Sequence, residues 1–179
     1  KLKSYVECQD EQVLVSVGGG DVGEVVFLAA CNAALLTPEL HWRMFVGGTN
    51  EQFEKLVKIA PSNVTIEHPT LKFRQILMSA KASVSMVGYN TALDVLQAGV
   101  PAVLIPFDSG GEIEQSLRAN VLKTLPAIEV IQQKSLNGAN LVDKVKAVIL
   151  AGRRHPRTKG MDGAETTVQI THYLRTKTI

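Results

Sequence analysis

The chain has 179 residues, 45% of them apolar and 20% charged, with a formal net charge of +2. A chain of this length buries enough apolar surface to fold as one domain without disulfide or metal staples. The near-neutral balance and the scarcity of aromatics, 5% of residues, argue against nucleic acid as a partner, and no apolar run approaches the roughly 20 residues that cross a bilayer.

Residues 1–10 are polar and irregular. They read as a linker from a missing N-terminal domain, because the chain starts at Lys1 and shows no signal peptide. Residues 11–179 remain as the domain itself. The first strand is expected over 13–17, where Val13, Leu14 and Val15 run together. A helix over 22–36 follows and is apolar almost all round, which predicts packing on several sides. Cys31 lies in that helix and reads as core. Neither Cys8 nor Cys31 fits a metal or redox spacing, and two unpatterned cysteines suit a reducing cytosol.

Strand 42–46, helix 51–59 and strand 64–67 come next. A short helix over 71–79 puts Phe73, Ile76 and Leu77 on one face. Strand 82–87 stops at Gly88, and helix 91–98 then leads directly into strand 102–105. Helix 112–123 carries Ile113, Leu117 and Val121 at spacing four. The last strand is expected over 127–131, and helices over 136–151 and 162–174 close the chain. The basic run Arg153, Arg154, His155, Arg157 and Lys159 reads as solvated surface. Short continuous apolar strands alternating with helices predict a doubly wound α/β fold. Its sheet is parallel, of about six strands, with helices on both faces. In such sheets ligands bind beyond the carboxyl ends of the strands.

Two loops at that edge carry chemistry. Gly18-Gly19-Gly20-Asp21-Val22-Gly23 follows the first strand and opens the first helix, and it fits G-x-G-x-x-G. A dinucleotide site needs an acid at the end of the second strand for the ribose. Here that strand runs into Val46-Gly47-Gly48-Thr49, with no carboxylate. A nicotinamide dehydrogenase module is therefore the weaker reading. The other loop is Gly88-Tyr89-Asn90-Thr91, followed by a lone acid, Asp94. A helix start there offers free N–H groups to an anion. Thr91-x-x-Asp94 also reads as a capping box, so Asp94 has a structural alternative, as do Asn90 and Thr91 as ordinary caps.

Four features together resemble the C-terminal, donor-binding domain of a GT-B glycosyltransferase of the family-28 type, a family that includes the N-acetylglucosamine transferase of peptidoglycan synthesis. These are the strand and loop Ser16-Val17-Gly18-Gly19-Gly20, and the Gly88-Tyr89-Asn90-Thr91 turn with its acid and Ala98-Gly99-Val100-Pro101. The others are Val103-Leu104-Ile105-Pro106-Phe107 leading to Glu114-Gln115 and Arg118-Ala119-Asn120, and the terminal Asp162-Gly163-Ala164-Glu165. The chain departs from the pattern in having Asp94 where Glu is usual, a longer loop before Ile113, and Gly20-Asp21 where the family commonly has serine.

The resemblance implies one half of a GT-B fold and a role in moving a hexosyl group from a nucleotide sugar, with UDP as carrier, to an acceptor hydroxyl. By that likeness Asp94 accepts from the donor ribose, as a carboxylate suits a diol. Gly18, Gly19, Gly20, Gly88, Asn90 and Thr91 surround the diphosphate. Glu114 and Gln115 read the donor sugar, and Leu71 and Phe73 hold the base. Glu114 also stands four residues from Arg118, a spacing that makes a simple surface pair, and Phe73 has a core reading. No catalytic residue is expected in this chain, because the family's general base comes from the N-terminal acceptor domain. His41, His68, His155 and His172 accordingly read as structural or surface. No cofactor and no metal are implied beyond the UDP-sugar substrate. The implied partners are that donor and the N-terminal half, in the same chain or as a separate subunit. The implied location is cytoplasmic, with peripheral membrane contact through the other domain. A free-standing donor subunit of a split transferase and a sugar-nucleotide epimerase are the remaining alternatives.

Overall fold

The computed structural model describes residues 12–17, 23–107 and 113–157, with positions 168, 170 and 173. The linker at 1–10, the glycines at 18–20 and most of the expected 162–174 helix lie outside the described residues. Six strands form one sheet: β1 (Gln12–Ser16), β2 (His41–Phe45), β3 (Val64–Glu67), β4 (Ala82–Met86), β5 (Ala102–Ile105) and β6 (Ile128–Val130). Their order is β3-β2-β1-β4-β5-β6, and all pairings are parallel. The doubly wound sheet expected from the sequence is the one observed. Strand order reverses between β1 and β4, which makes their carboxyl ends the switch point of the sheet.

Among the described residues, six α-helices of continuous range cover the two faces. These are α1 (Glu24–Leu35), α2 (Asn50–Ile59), α3 (Phe73–Ser79), α4 (Tyr89–Ala98), α5 (Glu114–Leu122) and α6 (Gly138–Ala151). Residues of α1, α2 and α6 pack on one face with Val13, Val15, Trp42 and Val84. Residues of α3, α4 and α5 pack on the other with Leu14, Phe45 and Leu104. β5 is buried along its whole length, which is why its run is apolar without alternation. α1 buries most of its circumference, Cys31 included, because the sheet lies on one side and α6 on the other. Burial pushes the Cys31 thiol up from its ordinary value. A Cβ on Gly138 would lie 2.8 Å from that of Asn32, so a side chain there would hold α6 away from α1. The one tryptophan, Trp42, is fully buried and donates its indole N–H to Thr37 Oγ1 at 3.0 Å, leaving no polar group stranded.

Three local expectations change. α3 begins at Phe73, not at 71. α4 begins at Tyr89 with Gly88 as its cap residue and no side-chain cap bond, so neither Asn90 nor Thr91 is the N-cap. The capping-box reading of Asp94 fails with it, since Asp94 then sits in the second turn. Finally, α5 does not bury Ile113, Leu117 and Val121, which stay exposed; it turns Ala119 and Leu122 to the core instead.

The basic run after α6 is a correction of a different kind. Arg153 and Arg154 fold back across the amino edge of the sheet. Arg153 donates to the carbonyls of Ala98, Met78 and Ala80 at 3.0, 2.7 and 2.8 Å. Arg154 donates to those of Val100 and Ala127 at 2.6 and 2.8 Å. The last carbonyls of a helix have no partner within it, and these two guanidiniums serve the ends of α3 and α4. Burial, and then the Arg153 charge, lower the Arg154 pKa to about 10, which still leaves it charged near neutrality.

Candidate functional site

A groove of about 240 Å³ opens at the switch point of the sheet. Ser16 and Val17 at the end of β1 form its floor, immediately before Gly18. Phe45 at the end of β2, with Pro69, Thr70 and Phe73, makes one wall. Asn90, Thr91 and Asp94 of α4 make the opposite one. The sheet topology thus brings together residues from four separate stretches of sequence.

The aromatic wall is built from ring contacts. The rings of Phe45 and Phe73 meet edge to face with centroids 5.8 Å apart, a favoured geometry for such pairs. Behind them the Arg43 guanidinium lies 5.3 Å from the Phe45 ring centroid. It is fixed by two bonds to Glu67, at 3.0 and 2.9 Å, and a bidentate fork of this kind sets orientation as well as energy. Leu71, expected beside Phe73, is fully exposed and does not line the groove.

The polar wall is built by the start of α4. Gly88 contributes no side-chain bond, and the first intrahelical bond runs from Ala92 N–H to the Gly88 carbonyl. The amides of Tyr89, Asn90 and Thr91 therefore have no partner inside the helix, and they carry the positive end of its dipole. Asp94 lies one turn deeper, with 12% of its side chain exposed. Its Oδ1 is 2.7 Å from Arg74 Nε. The guanidine N–H does not point along a hydrogen bond to that oxygen, so the contact is an ion pair without a directed bond.

Gln115 holds the neighbouring loops together. Its Oε1 accepts from the backbone amides of Val87 and Phe107, both at 3.1 Å, which joins the segments leaving β4 and β5. The side-chain carbonyl is thus spent on the backbone, and the amide N–H₂ is what Gln115 has left to offer a ligand. Arg118 reinforces the same turn. It donates to the Val87 carbonyl at 2.6 Å and lies 5.9 Å from the Tyr89 ring centroid. Glu114 is largely exposed and pairs with Arg118 at 3.8 Å, the surface contact that the i,i+4 spacing anticipates.

Two histidines have structural partners: His41 bonds Thr65 Oγ1 at 2.9 Å, and His68 stacks on Phe53. His172 lies outside the described residues. Among the described residues no cluster of three or more His, Cys, Asp or Glu could hold a metal, and no helix is long and apolar enough to cross a membrane. Sequence reasoning missed Phe45, Thr70 and Arg74. At the end of β2, where a dinucleotide site has an acid, stands the aromatic Phe45. Arg74 gives no local sign of its pairing with α4.

Residues 12–170 match the sequence profile of the Glycosyltransferase family 28 C-terminal domain. The chain is 27% identical over 144 residues to the UDP-N-acetylglucosamine--N-acetylmuramyl-(pentapeptide) pyrophosphoryl-undecaprenol N-acetylglucosamine transferase of Levilactobacillus brevis, covering 76% of this chain and 39% of that protein. It is 24% identical over 144 residues to the protein of the same name from Thermosipho melanesiensis, covering 80% of this chain and 41% of that one. The chain therefore spans about two fifths of the length of these relatives. MurG from Acinetobacter baumannii superposes with a TM-score of 0.64 at 20% identity, over 92% of this chain and 54% of that one. The spinosyn rhamnosyltransferase SpnG gives 0.65 at 19% identity, over 80% of this chain and 38% of that one. At these identities the two superpositions establish a shared fold.

Proposed function

Because the chain belongs to the glycosyltransferase family 28 C-terminal domain, we propose that its groove binds the nucleotide-sugar donor of a hexosyltransferase, with UDP as the carrier and an N-acetylhexosamine as the sugar. One observation carries this reading. A nearly buried carboxylate, Asp94, shares one groove with the uncapped start of α4. A carboxylate can accept from a diol and an uncapped helix start favours an anion, and a nucleoside diphosphate carries both groups.

In this scheme the base lies against Phe73 and Phe45, near Thr70. The ribose hydroxyls donate to Asp94. The diphosphate meets Gly88, Asn90 and Thr91, and the family likeness adds Gly18, Gly19 and Gly20. The Gln115 amide nitrogen faces the sugar, and Glu114 stands at its rim. The acceptor hydroxyl displaces the diphosphate directly, and its proton goes to a base on the acceptor-binding half of the protein. Helix N–H groups and loop amides offset the charge that grows on the leaving diphosphate, the usual means by which fixed dipoles lower such a barrier. No metal has a role in the scheme. The partners are the donor and the acceptor-binding half. The free, buried Cys31 fits a reducing compartment, and the site of action is cytoplasmic, with any membrane contact made by the other half.

A thermal-shift panel tests this reading. A ligand that binds only the folded form raises the melting point according to its affinity, by the equivalent of about 2.7 kcal/mol at a hundredfold excess over Kd. UDP and UDP-N-acetylglucosamine are expected to raise it, and NAD to leave it unchanged. Stabilisation by NAD alone would overturn the assignment in favour of a dehydrogenase module.

A further inference from the structure

We propose that Arg74 is the positioning residue of the ribose subsite: by holding Oδ1 of Asp94 it commits the other carboxylate oxygen to the ribose and makes the groove prefer ribonucleotides to 2′-deoxyribonucleotides. This rests on the nucleotide reading above and adds a residue to it.

The geometry is specific. Arg74 is the second residue of α3, beside Phe73 of the aromatic wall, and Asp94 belongs to the opposite wall. Their ion pair, 2.7 Å from Nε to Oδ1, ties the two walls together. The two ends differ in setting: 69% of the Arg74 side chain is exposed, against 12% for Asp94. The guanidinium therefore approaches a nearly buried carboxylate from the solvent side. An acid so enclosed is costly unless a counter-charge accompanies it. Among the described residues no other cation is paired with it.

Two consequences follow for a ligand. Asp94 has one torsion fewer than glutamate, so its oxygens cannot search far for a hydroxyl. The ion pair holds Oδ1 toward Arg74 at 2.7 Å, and Oδ2 is the oxygen left to accept from the sugar. The same pair cancels a negative charge in a groove that must also admit a diphosphate. A site built to bond a hydroxyl discriminates strongly against an analogue that lacks it, but only while the acceptor is held in place. Loosening Asp94 should thus cost the ribonucleotide more than the deoxyribonucleotide.

The test is titration calorimetry on the full-length protein with UDP and 2′-deoxy-UDP. Wild type is expected to favour UDP by about tenfold or more, the size of one well-made hydrogen bond to a charged group. Arg74→Ala should cut that preference to about threefold or less, and Asp94→Asn should do the same. The double variant should lose no more than Asp94→Asn alone, since residues that act as one unit are not additive. Arg74→Met keeps an unbranched aliphatic side chain without the charge and should match Arg74→Ala, so a packing defect is distinguishable from loss of the charge. A surface ion pair with a purely structural role lowers the melting temperature and weakens both ligands equally; an unchanged UDP to 2′-deoxy-UDP ratio in both Arg74 variants overturns the positioning role and leaves UDP binding intact. Failure of wild type to bind UDP at all overturns the nucleotide reading and this inference with it.

Discussion

Arg154 donates to the carbonyl oxygen of Val100 at 2.6 Å, from a position beyond the last residue of α6. With Arg153 it closes the amino edge of the sheet, opposite the groove. Arg154→Ala strands the carbonyl of Val100, whereas that of Ala127 keeps the Ala102 amide, and an unsatisfied buried polar group costs about 1–3 kcal/mol. We expect a loss of about 2 kcal/mol in urea unfolding, with UDP affinity unchanged because the groove lies at the other edge. A stability change below about 0.5 kcal/mol, the range typical of ordinary surface substitutions, would return this arginine to the solvated surface.

The proposed function gives Gln115 two separable roles. Its oxygen serves the amides of Val87 and Phe107, and its nitrogen is the group proposed to meet the sugar. Gln115→Ala removes both and should cost about 2 kcal/mol of stability through the two unmatched amides. Gln115→Glu keeps an acceptor in place and should hold most of that stability, yet it has no amide donor. It should weaken a UDP-sugar more than UDP itself, measured by parallel titrations. Equal losses for the two ligands would confine Gln115 to the loop junction.

The sheet was legible because its strands are short unbroken apolar runs. β3 and β5 fall on the expected residues, and the others are displaced by a residue or two at their ends. The start of α4 was not legible. Its cap is a glycine without a side-chain bond, whereas Asn90 and Thr91 carry the composition of a cap without occupying it. Periodicity marked Ile113, Leu117 and Val121 as one face, but it cannot say which way that face turns. Ala119 and Leu122 meet the core, and the larger side chains stay in solvent. The site divides in the same way. Asp94, Asn90, Thr91 and Phe73 share a groove because only two segments, the starts of α3 and α4, supply them. The Arg74–Asp94 pair and the Arg153–Arg154 clamp depend on individual side-chain contacts that no local pattern marks. Composition reads such residues only as charge.

Asp94→Ala separates binding from folding. α4 is capped at Gly88, so loss of a helix cap cannot account for an effect at Asp94. UDP affinity should fall at least tenfold, about 1.4 kcal/mol, by titration calorimetry on the full-length protein. Charge-assisted bonds to a diol are worth about 1.5–3 kcal/mol each, so the tenfold figure is a lower bound. Wild-type affinity in this variant would remove Asp94 from the ribose subsite.

Gly99 and Gly152 make a matched pair for the backbone. Gly99 ends α4 with φ +64°, and a Cβ there would lie 2.3 Å from the Arg154 carbonyl oxygen. Gly152 ends α6 with φ +77°, and a Cβ there would meet nothing within 4 Å. Both positions penalise an L side chain through the backbone, by roughly 1–3 kcal/mol. Gly99→Ala carries a steric conflict as well, and the atom it meets is backbone, held by the Arg154 N–H bond to the Gly99 carbonyl at 2.9 Å. It cannot move without disturbing the clamp that Arg154 makes on Val100 and Ala127. Gly152→Ala should therefore lower the melting temperature by a few degrees, at roughly 2–4 °C per kcal/mol for a chain of this size. Gly99→Ala should lower it at least twice as far. Combined with Arg154→Ala, its added cost should shrink, because contacting residues couple and their effects do not sum. Full additivity of Gly99→Ala and Arg154→Ala in denaturation would show that the glycine and the clamp act independently.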